Sequence, residues 1–187
     1  SHFTSTAAEA DLRTKAAVAG CLEDVSCHPD YLGQSRSVAR MLYVAEDSNT
    51  YYCTGPLLND MAASGTPYFL SANHCISTQA VASSLTTDWF YRSASCNGTS
   101  MNPAATRLAG GATLLYASAV TDTSFMRLNQ AAPAGIVYAG TYFGGVQAGQ
   151  NLTAVHHPQG DLQKVSQGVV LRYSNCSGEW CTGSDGT

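Results

Sequence analysis

The sequence predicts an all-β, antiparallel protein, and three observations lead there. Charged residues are only 12% of the 187-residue chain, while Gly, Ser, Thr and Ala abound, a balance typical of β-rich rather than helical proteins. Short runs rich in Val, Leu, Tyr and Phe recur, each bounded by Gly, Pro, Asn or Asp. Seven cysteines, at 21, 27, 53, 75, 96, 176 and 181, point to an oxidising compartment and a disulfide framework. They form no CxxC pair or usual zinc spacing, so neither a metal nor a cofactor is expected.

Taken in order, residues 1–20 are an Ala-rich extension. Thr6 with Glu9 makes a weak capping box that opens a short helix over Ala7–Val18, with a thin apolar face and no chemistry. From Cys21 the character changes. Ser37–Val44, Thr50–Leu58, Pro67–Ala72, Thr86–Tyr91, Ala112–Tyr116 and Phe125–Leu128 read as strands, with Gly110-Gly111 marking the entry to the fifth. Six short strands at this spacing indicate a sandwich or barrel. Asn129–Gly135 reads as a linker. Ile136–Tyr142, Leu152–His156 and Lys164–Tyr173 follow as three more strands, too few to close a barrel of their own.

The net charge of −4, without a basic run, gives no electrostatic case for nucleic acid. No apolar segment approaches the roughly 18–20 residues needed to span a bilayer, so no membrane partner is expected. Asn97, Asn151 and Asn175 each open a glycosylation sequon, which has meaning only in a host that glycosylates.

Two stretches carry chemistry. Tyr68-Phe69-Leu70 is an apolar run that ends in Ser71-Ala72-Asn73-His74-Cys75. A histidine at the end of a rigid strand, beside a cysteine able to anchor it, is placed for proton transfer near neutral pH. Taken by itself, this stretch reads first as a satisfied core histidine beside a structural cystine; the rest of the chain reverses that. The second stretch is Val120–Leu128, where Asp122 opens an apolar strand that could bury its carboxylate and aim it at one partner. An aspartate before a strand is, by itself, usually a turn residue.

Together the two stretches resemble the trypsin-like serine proteases, in the order and spacing of the His-Cys and Asp segments. More narrowly, the chain is similar to the bacterial lysyl endopeptidase branch, including the protease IV type. The residues that carry this are Cys21 and Cys27, Cys53-Thr-Gly-Pro-Leu-Leu-Asn, Thr87-Asp-Trp-Phe-Tyr followed by Cys96, Val155-His-His-Pro-Gln-Gly-Asp, and Lys164-Val-Ser-Gln-Gly.

The resemblance implies two six-stranded antiparallel β-barrels. The first, over 21–130, is complete and carries catalytic His74 and Asp122; the second, over 131–187, is only partly present. It also implies disulfides Cys53–Cys75 and Cys27–Cys96, with Cys21 reaching a cysteine beyond Thr187. Cys176 and Cys181, close in sequence, suggest a local loop bridge. The implied activity is that of a secreted endopeptidase acting on protein or peptide, cleaving after lysine.

The family's Gly-x-Ser-Gly nucleophile segment is absent. Ser184, in Gly183-Ser-Asp-Gly186, is rejected because no chain follows to build an oxyanion hole or pocket around it. The serine is therefore expected on a second chain or missing segment, tied through Cys21. Burial of a free N-terminus as an activation switch is not expected, since Ser1 lies 20 residues before Cys21.

Two other readings compete. One is a catalytically inactive protease-fold binding module. The other is a metal-binding β protein using His74, Cys75, His156 and His157, although His156-His157 reads better as a strand end running into a turn at Pro158. His2 and His28 read as surface residues.

Overall fold

The computed structural model describes residues 22–177 and 180–183, with side chains as far as Tyr173. The expected helix over 7–18, Cys21 and Ser184 lie outside the described residues, as do the side chains of Cys176 and Cys181. The strands are β1 (Glu23–Asp24), β2 (Val38–Val44), β3 (Thr50–Leu58), β4 (Tyr68–Ser71), β5 (Thr86–Trp89) and β6 (Thr106–Leu108). Then come β7 (Ala112–Ser118), β8 (Thr123–Leu128), β9 (Asn151–His156), β10 (Lys164–Val169), β11 (Ser174–Ser177) and β12 (Trp180–Gly183). Two short helices, Leu32–Ser35 and Gln79–Ser83, join them. Among the described residues no helix is long and apolar enough to cross a membrane.

The strands form a seven-stranded sheet in the order β6-β5-β2-β3-β4-β8-β7, a three-stranded sheet β1-β10-β9, and a hairpin β11-β12. Every ladder is antiparallel. The large sheet differs from the expected six-stranded barrel in two ways. The extra strand is β6, whose sequence Thr-Arg-Leu is too short to show a period. The end strands β6 and β7 share no ladder; Gly111 N, between them in the chain, donates to Leu85 O just before β5 at 3.0 Å. The expected strand over Ile136–Tyr142 is not formed. That segment makes only an isolated parallel bridge, Leu58 with Ala139, so its backbone groups follow the end of β3 without a partner strand on the other side.

Period-two patterning shows why these residues form strands. In β8, Ser124, Met126 and Leu128 are buried while Arg127 between them is exposed. In β2, Ala39, Met41 and Tyr43 enter the core with Leu57, Phe69, Trp89, Ala112 and Met126. Phe69 and Trp89 meet edge to face at 6.1 Å. Gly55 is required by this packing, because a Cβ there would lie 2.5 Å from both Leu70 O and the Phe69 ring.

β2 is buried on its other face too, where Arg40 is only 2% exposed. Its Nε and Nη2 donate to Asp88 Oδ2 at 2.9 and 2.7 Å, and its Nη1 donates to Gly160 O at 2.8 Å. Arg107 Nε donates to Asp88 Oδ1 at 2.6 Å. The Arg40 guanidinium also lies 3.8 Å from the centre of the Tyr91 ring. Gly160 adopts a φ of +76° against the Tyr52 ring, a conformation and a clearance that favour glycine. Gln163 completes the contact, donating from Nε2 to Ser35 O and Val38 O. Buried polar side chains thus hold the 157–165 segment against the large sheet, with Gln163 Oε1 and His157 Nε2 left without a hydrogen-bond partner.

Candidate functional site

Strand β4 runs antiparallel to β8 with Ser71 opposite Ser124, so the residues after β4 and before β8 emerge at the same end. Those residues include His74 and Asp122. Cys75 is bridged to Cys53 of β3, which ties the His74 segment to the sheet, and Ser71 Oγ donates to Thr54 O at 3.1 Å beside it. The second expected disulfide, Cys27–Cys96, is also formed. For Cys176 and Cys181 the backbone register sets the two residues opposite each other in the β11–β12 hairpin.

Asp122 grips His74 at two points. His74 N donates to Asp122 Oδ1 at 2.9 Å, and His74 Nδ1 lies 2.7 Å from Asp122 Oδ2. A carboxylate only accepts, so Nδ1 carries the proton and Nε2 is left with its lone pair. Asp122 has a φ of +45°, the left-handed region that Asp tolerates better than most residues. Hydrogen bonds from the His74 backbone, then from its ring, hold the Asp122 carboxyl below the usual carboxylate range.

The side chains are 71% and 53% exposed. The carboxylate is therefore aimed at one partner, as expected, but not buried. An exposed pair of this kind contributes about 0–1 kcal/mol to stability. Folding energy alone gives little reason for so specific an arrangement.

The other sequence candidates separate. Cys53, His74 and Cys75 bring three possible ligand atoms within 4.8 Å, but both sulfurs belong to the disulfide and are not free thiolates. His156 Nε2 is 2.7 Å from Ser166 Oγ, and burial lowers its pKa. His157 is fully packed away: Nδ1 donates to Asp161 O at 3.0 Å, its ring lies against Tyr91, and its N–H donates to Thr54 Oγ1 at 2.9 Å. This fits the strand-end packing role and draws neither histidine to His74. His28 is partly buried, with Nε2 2.5 Å from Glu23 Oε2, rather than a plain surface residue. Thr54 went unnoticed as a support residue in the sequence, since a threonine in a strand carries no signal for the side-chain bond it will make.

The chain matches the family described as lysyl endopeptidase, C-terminal domain, over residues 16–184. It belongs to that family. It is 38% identical over 143 residues to the lysyl endopeptidase of Pseudomonas aeruginosa, an alignment covering 75% of this chain and 31% of the relative. A secreted RxLR effector protein of Plasmopara viticola is 30% identical over 114 residues, covering 56% of this chain and 26% of its own. The chain thus spans about a third or less of the length of these relatives.

Among solved structures, the Rv3671c protease of M. tuberculosis in its active form is similar with a TM-score of 0.50 at 14% identity, over 87% of this chain and 60% of that one. An HtrA-type protease with a tripeptide gives a TM-score of 0.51 at 15% identity, over 76% and 38%. The fold is that of the trypsin-like proteases.

Proposed function

We propose that this protein is the His–Asp-bearing part of a secreted serine endopeptidase that cleaves peptide bonds after lysine. Its nucleophilic serine would be contributed by polypeptide other than these 187 residues. The observation that carries the reading is the two-point hold of Asp122 on His74, which fixes the imidazole with Nδ1 protonated and Nε2 basic. In the mechanism, His74 Nε2 takes the proton of the serine hydroxyl as its oxygen attacks the scissile carbonyl. The same nitrogen then returns the proton to the leaving amine. Asp122 holds the tautomer and stabilises the imidazolium formed between the two steps.

Family membership supports the reading, and a relative named lysyl endopeptidase supports the preference for lysine. The exposed apolar side chains Tyr142, Phe143 and Leu171 support further chain packing beside β9–β10. On this reading the first unit spans 21–130, the second begins at 131, and Cys21 is the covalent tie. The oxyanion hole and specificity pocket would come with the same additional polypeptide.

The test is fluorophosphonate labelling and cleavage of lysyl against arginyl p-nitroanilides by the whole protein. Label on a serine in a Gly-x-Ser-Gly context, with activity lowered on the order of 10⁴-fold or more by His74→Ala, is expected. Cleavage that survives His74→Ala would sink the assignment. A second reading, an inactive binding module of the same fold, is favoured only by the relative named as an effector. Properly folded material that takes no label would put that reading first.

A further inference from the structure

Through two different atoms, Thr54 of β3 holds both the strand that leads to His74 and the segment that docks on the large sheet. Its Oγ1 accepts from His157 N at 2.9 Å, and its carbonyl O accepts from Ser71 Oγ at 3.1 Å. Ser71 ends β4, three residues before His74.

Strand register explains how one residue does both. Thr54 is the cross-strand partner of Arg40, so its side chain lies on the face where Arg40 Nη1 meets Gly160 O and His157 arrives. The ladder between β3 and β4 consists of Leu57 with Phe69 and Leu58 with Tyr68. It does not extend to Ser71, whose hydroxyl makes the link to the Thr54 carbonyl instead. The preceding residue, Cys53, is bridged to Cys75, the residue after His74. His74 is thus clamped on both sides, at Ser71 and at Cys75, to two adjacent residues of β3. The Thr54 hydroxyl is where the 157–165 segment reaches that clamp.

Asp122 is fixed separately. It precedes β8, which pairs with β4 and β7 and shares no ladder with β3. A shift of the Ser71–Cys75 segment relative to β8 therefore disturbs both contacts of the pair, His74 N to Oδ1 at 2.9 Å and Nδ1 to Oδ2 at 2.7 Å. Both side chains are more than half exposed, so little packing is present to return a displaced imidazole. We propose that Thr54 is a positioning residue through which the seating of the 157–165 segment sets the His74 imidazole against Asp122. Its effect on turnover rests on the endopeptidase reading; its effect on the His74–Asp122 hydrogen bond does not.

The test uses the whole protein. Thr54→Val keeps the side-chain shape and removes the acceptor of His157 N–H, whereas Thr54→Ser keeps the hydroxyl. On a lysyl p-nitroanilide, Thr54→Val should lower kcat about tenfold or more with KM within about twofold, and Thr54→Ser should restore the parent value. The His74 Nδ1–H proton, followed by proton–nitrogen NMR, should shift upfield or broaden in Thr54→Val and not in Thr54→Ser. Ser71→Ala cuts the same clamp from the other side, should reproduce both changes, and decides the matter should Thr54→Val misfold. Because the two substitutions act on one link, the double variant should lose little more than the worse single one. A parent that cleaves nothing would sink the endopeptidase reading and leave the NMR signal to decide alone. An unchanged Nδ1–H signal in either folded variant, a change confined to KM, or kcat losses that multiply in the double variant would overturn the proposal.

Discussion

The two sheets of this protein are held by different physics. The seven-stranded sheet packs over apolar side chains: Met41, Leu57, Phe69, Trp89 and Met126 are all fully buried. In and beside the smaller sheet, Val25, Leu162 and Val165 are the buried apolar side chains among the described residues. Its attachment is polar, through Arg40 with Gly160 and Gln163 with Ser35 and Val38, and within it the buried Lys164–Asp24 pair joins β10 to β1 at 2.5 Å. Meanwhile Tyr142, Phe143 and Leu171 face outward. One region spends its apolar residues on itself, and the other keeps many of them on its surface. The contact between them is therefore directional and sensitive to single polar substitutions, whereas the large sheet is sensitive to volume.

The largest expected losses probe this contrast from both sides. Asp88→Asn leaves Arg40 and Arg107 buried without a carboxylate and should cost about 3–5 kcal/mol or more in urea unfolding. Phe69→Ala opens a cavity against Trp89 and should cost about 3–5 kcal/mol. The two should differ in kind: a smaller residue matters at 69, and charge matters at 88. A loss under about 1 kcal/mol for Asp88→Asn would mean that water reaches the arginines, and the polar half of the comparison would fail.

How much of this was legible in the sequence follows the same division. β3 runs over Thr50–Leu58 as the apolar run and its punctuation indicate, and β2, β4, β7 and β8 lie within two residues of their expected bounds. Hydrophobic period is a local signal, and these strands bury one regular face. The pairing of His74 with Asp122, 48 residues apart, was suggested by resemblance and is met by geometry; nothing local could have placed the two side chains at 2.7 Å. The polar contact was illegible. Arg40 in Val-Ala-Arg-Met-Leu reads as the solvent side of a strand, and only the arrival of Gly160, 120 residues later, makes it interior. Ile136–Tyr142 failed for the converse reason. Its composition suits a strand, but a strand needs a ladder, and it forms one bridge to the end of β3 and a bond from Val137 N to Arg36 O.

A smaller and graded effect is expected at His157, in the middle of the polar contact. Its pKa is lowered to about 3 by burial, opposed by the bond to Asp161 O and reinforced by the charges of Arg40 and His156. Above its usual pKa of about 6.5 the ring is neutral folded or unfolded, and it contributes no pH dependence. Below that value the unfolded chain takes up a proton that the folded one refuses. Stability present above pH 6.5 is thus lost as pH falls toward about 3, by up to about 1.4 kcal/mol per pH unit. Denaturant midpoints measured from pH 7 to pH 4 should show this slope, and His157→Gln should flatten it. An equally steep slope in a folded variant would move the acid sensitivity to other groups.

The smallest effect is expected on the outer apolar side of the second region. Phe143 is 93% exposed, and the aromatic ring has little packing to lose. Phe143→Ser should therefore change the unfolding free energy of these 187 residues by no more than about 0.5 kcal/mol. The same substitution, made together with the additional polypeptide proposed above, tests whether that side is covered there. A loss of about 2 kcal/mol or more would show that another segment buries the ring. The outward apolar side chains would then be interior residues of a larger core, and the contrast between the two sheets would be one of completeness as well as chemistry. An unchanged stability in both would leave Phe143 as solvent-facing surface and remove the support it lends to further chain packing beside β9 and β10.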